Sequence, residues 1–271
     1  MSTATIAITG RPRRNPWGRF ALGLGDVIAI TERNLLAWMR VPAILMFTLV
    51  QPVMFVLLFR YVFGGAIPVQ VQGGYVNFLL PGVIGQTAAF ASFSTAIALA
   101  REIQKGSIDR FRSMPIARSA VLLGRLGADA IRLLITILVL VGVGYAVGFR
   151  FGNGWFPAVM MILLAEAFGL VICLIAAYIG LAIKDEEAVQ AFGLIWLFPL
   201  TFVSSAFVQV SSMPGWLQAF ANNQPVSIII NAMRSLALGG PVSLHAWQSL
   251  VWIAGLSVVF GTLAVRAYRR V

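Results

Sequence analysis

Six long apolar stretches divide this chain, and the basic residues between them fall almost entirely on alternate connections. A helix needs about 20 mostly apolar residues to cross the hydrocarbon core of a bilayer. Residues 43–63, 75–100, 126–149, 155–183, 188–210 and 245–265 each reach that length. Arg60 stands near the end of the first stretch, Arg132 bounds the charge-free part of the third, and Glu166 interrupts the fourth. Only 11% of the residues are charged and mean hydropathy is +0.89. A soluble domain carries about 25% charged residues, so lipid is the natural solvent. The predicted fold class is an all-α polytopic membrane protein with six transmembrane helices.

Orientation follows from the flanking cations. With the N-terminus inside, all of the 20 basic residues except Arg60, Arg150 and Arg234 lie on the inner side. Six crossings then put both termini in the cytoplasm of a multi-pass plasma-membrane protein. The net charge of +11 is explained by this topology and by anionic headgroups. No zinc-finger spacing or basic-aromatic platform points to nucleic acid. One cysteine, Cys173 within the fourth stretch, excludes an intrachain disulfide and a cysteine metal cluster. Arg13-Arg14 is not followed by the uninterrupted apolar run of a cleavable signal, because Asp26 breaks it. Arginine far outnumbers lysine, which hints at a GC-rich bacterial genome.

Five segments are not simple spans. Residues 1–16, with Gly10, Pro12 and Pro16 among basic residues, read as a disordered leader. Residues 17–42 follow as an amphipathic interfacial helix ended by Pro42, and 43–271 form the transmembrane domain. Trp17, Phe20, Leu24, Val27, Ile28, Thr31, Leu35, Trp38 and Met39 share one face of that helix. Arg19, Asp26, Arg33 and Arg40 fall opposite, and lying flat at the interface avoids burying them. The helix is either a simple anchor or a platform for a partner.

The loop after the second stretch is rich in charge. Ser107 can cap a short helix with Asp109 in its first turn, and Pro115 stops it. Ile108 and Phe111 make a small apolar ridge. The loop is either a plug for a groove on a soluble partner or a solvated positive-inside turn. Between the fifth and sixth stretches, Met213-Pro-Gly and Asn222-Asn-Gln-Pro are strong breakers, and a helix from Pro225 to about Leu238 ends at Gly239-Gly240-Pro241. Two short helices dipping into the outer leaflet fit better than a seventh crossing, which would move the three C-terminal arginines outside. Irregular backbone at such depth must be surrounded by protein or line a watery cavity. Lys184-Asp-Glu-Glu is a short cytoplasmic turn whose acids favour a helix N-terminus. Its spacing does not fit a prenyl-transferring Asp-rich motif.

Several polar groups sit within the spans. Gln51-Pro52 should kink the first. Glu166 lies about 16 Å into the fourth, either lining a polar path, coupling protons, or bonded between helices. Arg125, Asp129 and Arg132 are spaced for a local salt-bridge ladder. There is no Gly-x4-Gly-Lys-Ser/Thr, no His-Glu-x-x-His and no Gly-x-Ser-x-Gly, and His245 is the single histidine. The chain by itself is expected neither to hydrolyse ATP nor to act as a membrane hydrolase.

Glu102-x3-Gly106-Ser107-x2-Arg110-x-Arg112-x2-Pro115, then Leu123-Gly124-Arg125, then Gln224-Pro225-Val226-Ser227 with Ala232-Met233-Arg234 and Gly239-Gly240, occur in this order on this topology. In that respect the chain resembles the permease subunits of type-2 ABC exporters, most closely the daunorubicin-resistance-like (DrrB/DrrC-like) drug and lipid permeases. The resemblance covers nearly everything from about residue 20. It implies a coupling helix with Glu102, Gly106, Ser107, Arg110, Phe111, Arg112 and Pro115 docking on a separate ATPase subunit. It also implies an elbow helix at 17–40 and an extracellular re-entrant pair at 214–238. Two permease chains, identical or homologous, would join two ATPase chains, with ATP and Mg bound by the latter. Gln51, Pro52, Glu166, Asn222, Asn223, Gln224 and Pro225 are candidate pathway residues. The expected cargo is an amphipathic drug or lipid, with polysaccharide as the alternative within this architecture. The competing classes are a proton-coupled secondary transporter using Glu166 and a non-transporting membrane scaffold.

Overall fold

The computed structural model describes residues 16–65, 74–106, 118–240 and 242–270, and every regular element among them is helical. Residues 1–15 of the expected leader, and Ser107, Arg110, Phe111, Arg112 and Pro115 of the charged loop, lie outside the described residues. The long helices are α1 (Pro16–Met39), α2 (Pro42–Leu58, continued by a π-helical turn at Phe59–Phe63), α3 (Tyr75–Gln104), α4 (Arg118–Ala146) and α5 (Trp155–Ile183). After them come α6 (Glu186–Phe202), the short α7 (Gly215–Asn223) and α8 (Pro225–Leu238), and α9 (Val242–Arg270). Five of these helices are long and apolar enough to cross a membrane: α2 with its π turn, α3, α4, α5 and α9.

The central post is α3. Sixty-one per cent of its apolar window is buried by protein, against 6% for the windows in α2 and α9, which therefore stand at the periphery. Its most extensive contact is with α5, and the reason is side-chain size. Ala88, Ser92, Ala96 and Ala100 recur every four residues along α3, all buried, with Ala88 against Gly169 and Ala96 against Gly180 of α5, where Cys173 and Ala176 are buried as well. A methyl group added at Gly180 would enter the Ala96 carbonyl, so the two backbones touch. Lipid tails are as apolar as leucine, so close packing between small residues drives such association. Cys173 is one of these small core residues, buried and reduced.

Against α4 and α6 the post runs antiparallel. Glu102 lies at Arg125, Thr95 at Asp129, and Leu80 at Gly144. On the other side Arg101 meets Glu186, Phe93 meets Gly193, and Gly82 meets Ala206. The segment from Glu186 to Phe207 thus covers the same extent as α3 from Arg101 to Tyr75. Helix α1 packs on the start of α4: a Cβ at Gly124 would lie 2.7 Å from the Ile30 Cβ, and the Thr31 hydroxyl donates to the Gly124 carbonyl at 2.9 Å. Ile30 is fully part of this seat, although the expected apolar face did not include it, and Leu24, Ile28 and Met39 of that face stay exposed. The apolar arc of α1 is wider than its protein partner. One flank meets α4 and the other is bare.

Three boundaries differ from the sequence reading. Helix α4 begins at Arg118, well before residue 126. Helix α1 begins at Pro16, the first-turn position that tolerates a missing N–H. The fifth apolar run stops being helical at Phe202 instead of continuing to Val210. Pro199 lacks a donor within its last turn, and the Thr201 and Ser204 hydroxyls donate to the Leu197 and Thr201 carbonyls at 2.7 and 2.5 Å. Such side-chain bonds offer the backbone an alternative to the helix.

The break that follows is held from three sides. The Tyr75 hydroxyl donates to the Phe207 carbonyl at 3.1 Å. The Gln224 amide donates to the Val203 carbonyl, and the Ser205 N–H donates to Ser227 Oγ at 3.1 Å. Arg234 donates to the Ser205 carbonyl at 2.8 Å and, through Nε and Nη2, to the Phe78 carbonyl at 3.2 and 3.1 Å, while its guanidinium lies 3.8 Å over the Phe78 ring. Gly82 lets α3 approach the Ala206 carbonyl more closely than any Cβ would allow.

Two stability outcomes follow from this seam. Gly82→Ala should destabilise the purified protein by about 3 kcal/mol, because backbone cannot retreat. Gly85→Ala, which meets side-chain atoms of Ile230 and Met233 and no backbone, should cost clearly less. Arg234→Leu should cost about 2–4 kcal/mol by orphaning two carbonyls, with Arg234→Lys recovering only part. Thermal unfolding in detergent reads all four, and equal behaviour of the two glycine variants would contradict the close approach.

Candidate functional site

Two neighbouring features of the bundle carry functional interest: a cavity beside α3 and an ionic cluster at the end of α3 from which the charged loop departs. The cavity is about 460 Å³ and is bounded by α2, α3, α4 and α6. Six phenylalanines are the bulkiest part of its mainly apolar walls. Phe47 and Phe55 come from α2, Phe90 and Phe93 from α3, and Phe198 and Phe202 from α6. Phe90 meets Phe198 edge-on at 5.7 Å, and Phe198 stacks on Phe202 at 4.8 Å. Spacing by four residues puts Phe198 and Phe202 on one face of α6. A few polar groups interrupt the apolar lining: Thr48 and Gln51 of α2, Gln86 and Thr87 of α3, Arg132 and Thr136 of α4. Volume and composition are those of a small-molecule site.

Sequence reasoning singled out Gln51 and Pro52, and both line this cavity. The other candidate pathway residues lie elsewhere. Glu166 is on α5, outside the cavity lining, with both carboxylate oxygens buried and without a hydrogen-bond partner among the described residues. Asn222 and Asn223 are exposed at the end of α7, where the Asn223 amide donates back to Ala219 at 2.8 Å. Gln224 and Pro225 start α8, and Gln224 serves the break after α6. The aromatic walls and Gln86, Thr87 and Thr136 were not singled out. Their signal in the sequence is weak, because phenylalanine in an apolar run reads equally as lipid contact or core.

The ionic cluster rewrites the expected ladder on α4. Asp129 pairs with Arg132 at 2.8 Å as expected, but Arg125 turns away to Glu102 of α3 at 3.4 Å. The same Glu102 oxygen lies 3.6 Å from Arg33 of α1. One carboxylate therefore ties three helices together. Its neighbour in sequence points the other way: Arg101 Nε donates to Glu186 of α6 at 2.9 Å, with a second contact through Nη2. Gln104 adds a bond to Asp185 at 3.0 Å, and Asp185 caps α6 by accepting from the Ala188 N–H at 2.8 Å. The Lys184-Asp-Glu-Glu turn is thus docked on the end of α3. The Arg101 hydrogen bond holds the Glu186 carboxyl below the usual carboxylate range, so this contact is intact at neutral pH and is lost as pH falls through that lowered value. Gly106, with φ of 64°, turns the chain out of α3 into residues 107–117.

The sequence matches the family model for the ABC-2 type transporter over residues 26–238, most of the length described above. The chain belongs to the ABC-2 type transporter family. Among its relatives, the daunorubicin resistance ABC transporter permease protein DrrB1 of Streptomyces coeruleorubidus is 34% identical over 237 residues, covering 88% of this chain and 83% of that one. The probable doxorubicin resistance ABC transporter permease protein DrrC of Mycobacterium tuberculosis is 32% identical over 272 residues, covering 100% and 98%. The doxorubicin resistance ABC transporter permease protein DrrB of the same species is 27% identical over 161 residues, covering 59% and 56%. Within this ABC-2 permease fold, Leu123-Gly124-Arg125 unites the seat for α1 with an arm of the ionic cluster, and Gln224 and Arg234 both grip the break after α6.

Arg125 is only 14% exposed and Arg33 is 48% exposed, so the two halves of the triad should differ in weight. Glu102→Gln should lower stability by about 1–2 kcal/mol, since it leaves Arg125 partly buried without a counter-charge. Arg33→Ala should change it by less than about 0.5 kcal/mol, as solvent-screened pairs do. A double-mutant cycle of Glu102 with Arg125, read by thermal unfolding, should show coupling; strict additivity would remove the pair from the account.

Proposed function

We propose that this chain, as the permease subunit of an ABC exporter, moves an amphipathic drug or lipid-like molecule out of the cytoplasm or inner leaflet of a bacterial plasma membrane. The observation that carries the choice of cargo is the 460 Å³ cavity with its phenylalanine walls and sparse polar groups. Aromatic faces suit a flat or hydrocarbon body, and a handful of hydrogen-bonding side chains orient its polar part. A polysaccharide would call for a wider and more polar path. Drug resistance in the names of the Streptomyces and Mycobacterium relatives agrees with this direction.

In this reading the membrane is crossed six times, with both termini cytoplasmic. The fifth crossing, which completes the six, is α6 plus residues 203–207, supported by their register along α3 from Arg101 to Tyr75. α1 is the elbow helix at the inner interface, and its bare flank of Leu24 and Ile28 faces lipid. α7 and α8 form the outer re-entrant pair. ATP and Mg are bound by a separate ATPase subunit, two copies of which dock on the Glu102–Pro115 elements of two permease chains.

The ionic cluster suits a lever. A push on residues 107–115 reaches the end of α3, where Glu102 leads to α4 and α1 and Arg101 leads to α6. Three of the four helices that bound the cavity are connected at this point, so motion of the loop changes the cavity without any local unfolding. Replacing Phe111 and Arg112 together by alanine should reduce ATP-driven transport at least about tenfold in liposomes holding both subunits, with membrane insertion unchanged. Undiminished transport would sink the coupling assignment.

A second reading is favoured by one specific observation, the buried and unpartnered Glu166 carboxylate. It would make the chain a proton-coupled carrier. Uptake driven by a pH gradient in vesicles lacking any ATPase, and abolished by Glu166→Gln, would establish it over the exporter.

A further inference from the structure

The cavity contains one formal charge, and the way that charge is held points to the chemistry of what binds there. Arg132 lines the space, while Asp, Glu and Lys are absent from the described lining. Its counter-ion does not share the space. Asp129 sits behind it, 5% exposed, accepting from the Thr95 hydroxyl at 2.5 Å and from Arg132 Nη2 at 2.8 Å. Nη2 also donates to Ser94 Oγ at 2.6 Å and to the Ala91 carbonyl at 3.3 Å. All the hydrogen bonds of this guanidinium use that one nitrogen. Nε and Nη1 have no partner among the described residues and are not buried orphans, so this side of the guanidinium keeps free donors on a residue that lines the cavity.

We propose that Arg132 is the headgroup-reading residue of the cavity, and that the molecule bound there is an amphiphile with an anionic, oxygen-rich end such as a phosphate or carboxylate. This rests on the cavity being the cargo site and deepens it by naming the cargo's polar chemistry. The pair Asp129–Arg132 is neutral as a whole, but it is oriented with its positive end inward. In a low-dielectric wall such an oriented pair favours a negative group in front of it and disfavours a cation. Guanidinium N–H groups form strong charge-assisted bonds with phosphate and carboxylate oxygens. Phe90 and Phe198 then receive the apolar body within the same space. A purely structural pair would consume the donors of the arginine on both sides. Here one side is spent on holding the side chain and the other is left for a ligand.

The test uses the full-length permease in phosphatidylcholine nanodiscs, with no ATPase and no nucleotide. Three dansyl-labelled twelve-carbon probes differing only in the end group (phosphate, hydroxyl, trimethylammonium) are titrated, and saturable energy transfer from tryptophan is read. The wild type should rank phosphate over hydroxyl over trimethylammonium, with at least about a tenfold span between the extremes. This ranking needs no variant. Asp129→Asn, which leaves Arg132 in place, should keep the preference. Asp129→Asn combined with Arg132→Gln removes both charges without stranding either, and should bring the three probes within about twofold of one another. Equal or reversed ranking in the wild type, no saturable phosphate-probe binding, or a preference that survives the double variant would each overturn the proposal. Doping the discs with phosphatidylglycerol separates the sources of such a headgroup. Displacement of the phosphate probe assigns the site to bilayer lipid, and its retention assigns it to a single-chain amphiphile; both outcomes keep the headgroup chemistry. The exporter reading fails by a different measurement, the absence of ATP-driven transport with the ATPase present, so the two can fall separately.

Discussion

A stretch of backbone that is neither helix nor exposed loop runs through residues 203–209, beside the first turns of α3, and its carbonyl and N–H groups must find partners inside the protein. In water such a break costs little. At membrane depth each unmet group costs several kcal/mol. Arg234 meets one of these groups, the Ser205 carbonyl, and ties it to α3 through further bonds to the Phe78 carbonyl and the ring beneath its guanidinium. Gln224, Ser227 and Tyr75 supply the rest. Because these donors come from α3 and α8, the break fixes where both helices sit relative to α6. The placement of Phe198 and Phe202 on the cavity wall depends on it.

The same helix, α3, connects this outer seam to the opposite end of the bundle. Its small residues bind it to α5, leaving its other faces for α4 and α6. Where it ends, Arg101 and Glu102 diverge to different helices. Two consecutive residues of opposite charge on a helix point about 100° apart, which is the separation needed to hold a neighbour on each side. Between the seam and this fork lies the cavity.

Much of the helical layout is legible without coordinates. Apolar length located α2, α3, α5 and α9 to within a few residues, and the breakers at Met213-Pro-Gly, Asn222-Asn-Gln-Pro and Gly239-Gly240 located α7 and α8. The proline and the hydroxyls that end α6 at Phe202 were visible, but apolar composition alone gives no reason to stop there. Spacing placed Arg125 and Asp129 one turn apart on α4, yet a partner on another helix was a better match for Arg125, and i, i+4 spacing cannot weigh a contact it does not contain. Of the pathway candidates, Gln51 and Pro52 could be tied to the cavity only after α2 was seen against α3.

By itself, the sequence determined the solvent of this protein, the place of most of its long apolar helices and the residues that interrupt them, because these depend on local composition and on the energy of placing each segment in lipid or water. The tertiary structure alone decided which helix becomes the core, which charges meet, and which face of Arg132 remains open. Those outcomes depend on shape: where glycine and alanine permit backbones to touch, and which donors are then left over once the nearest acceptors have been filled.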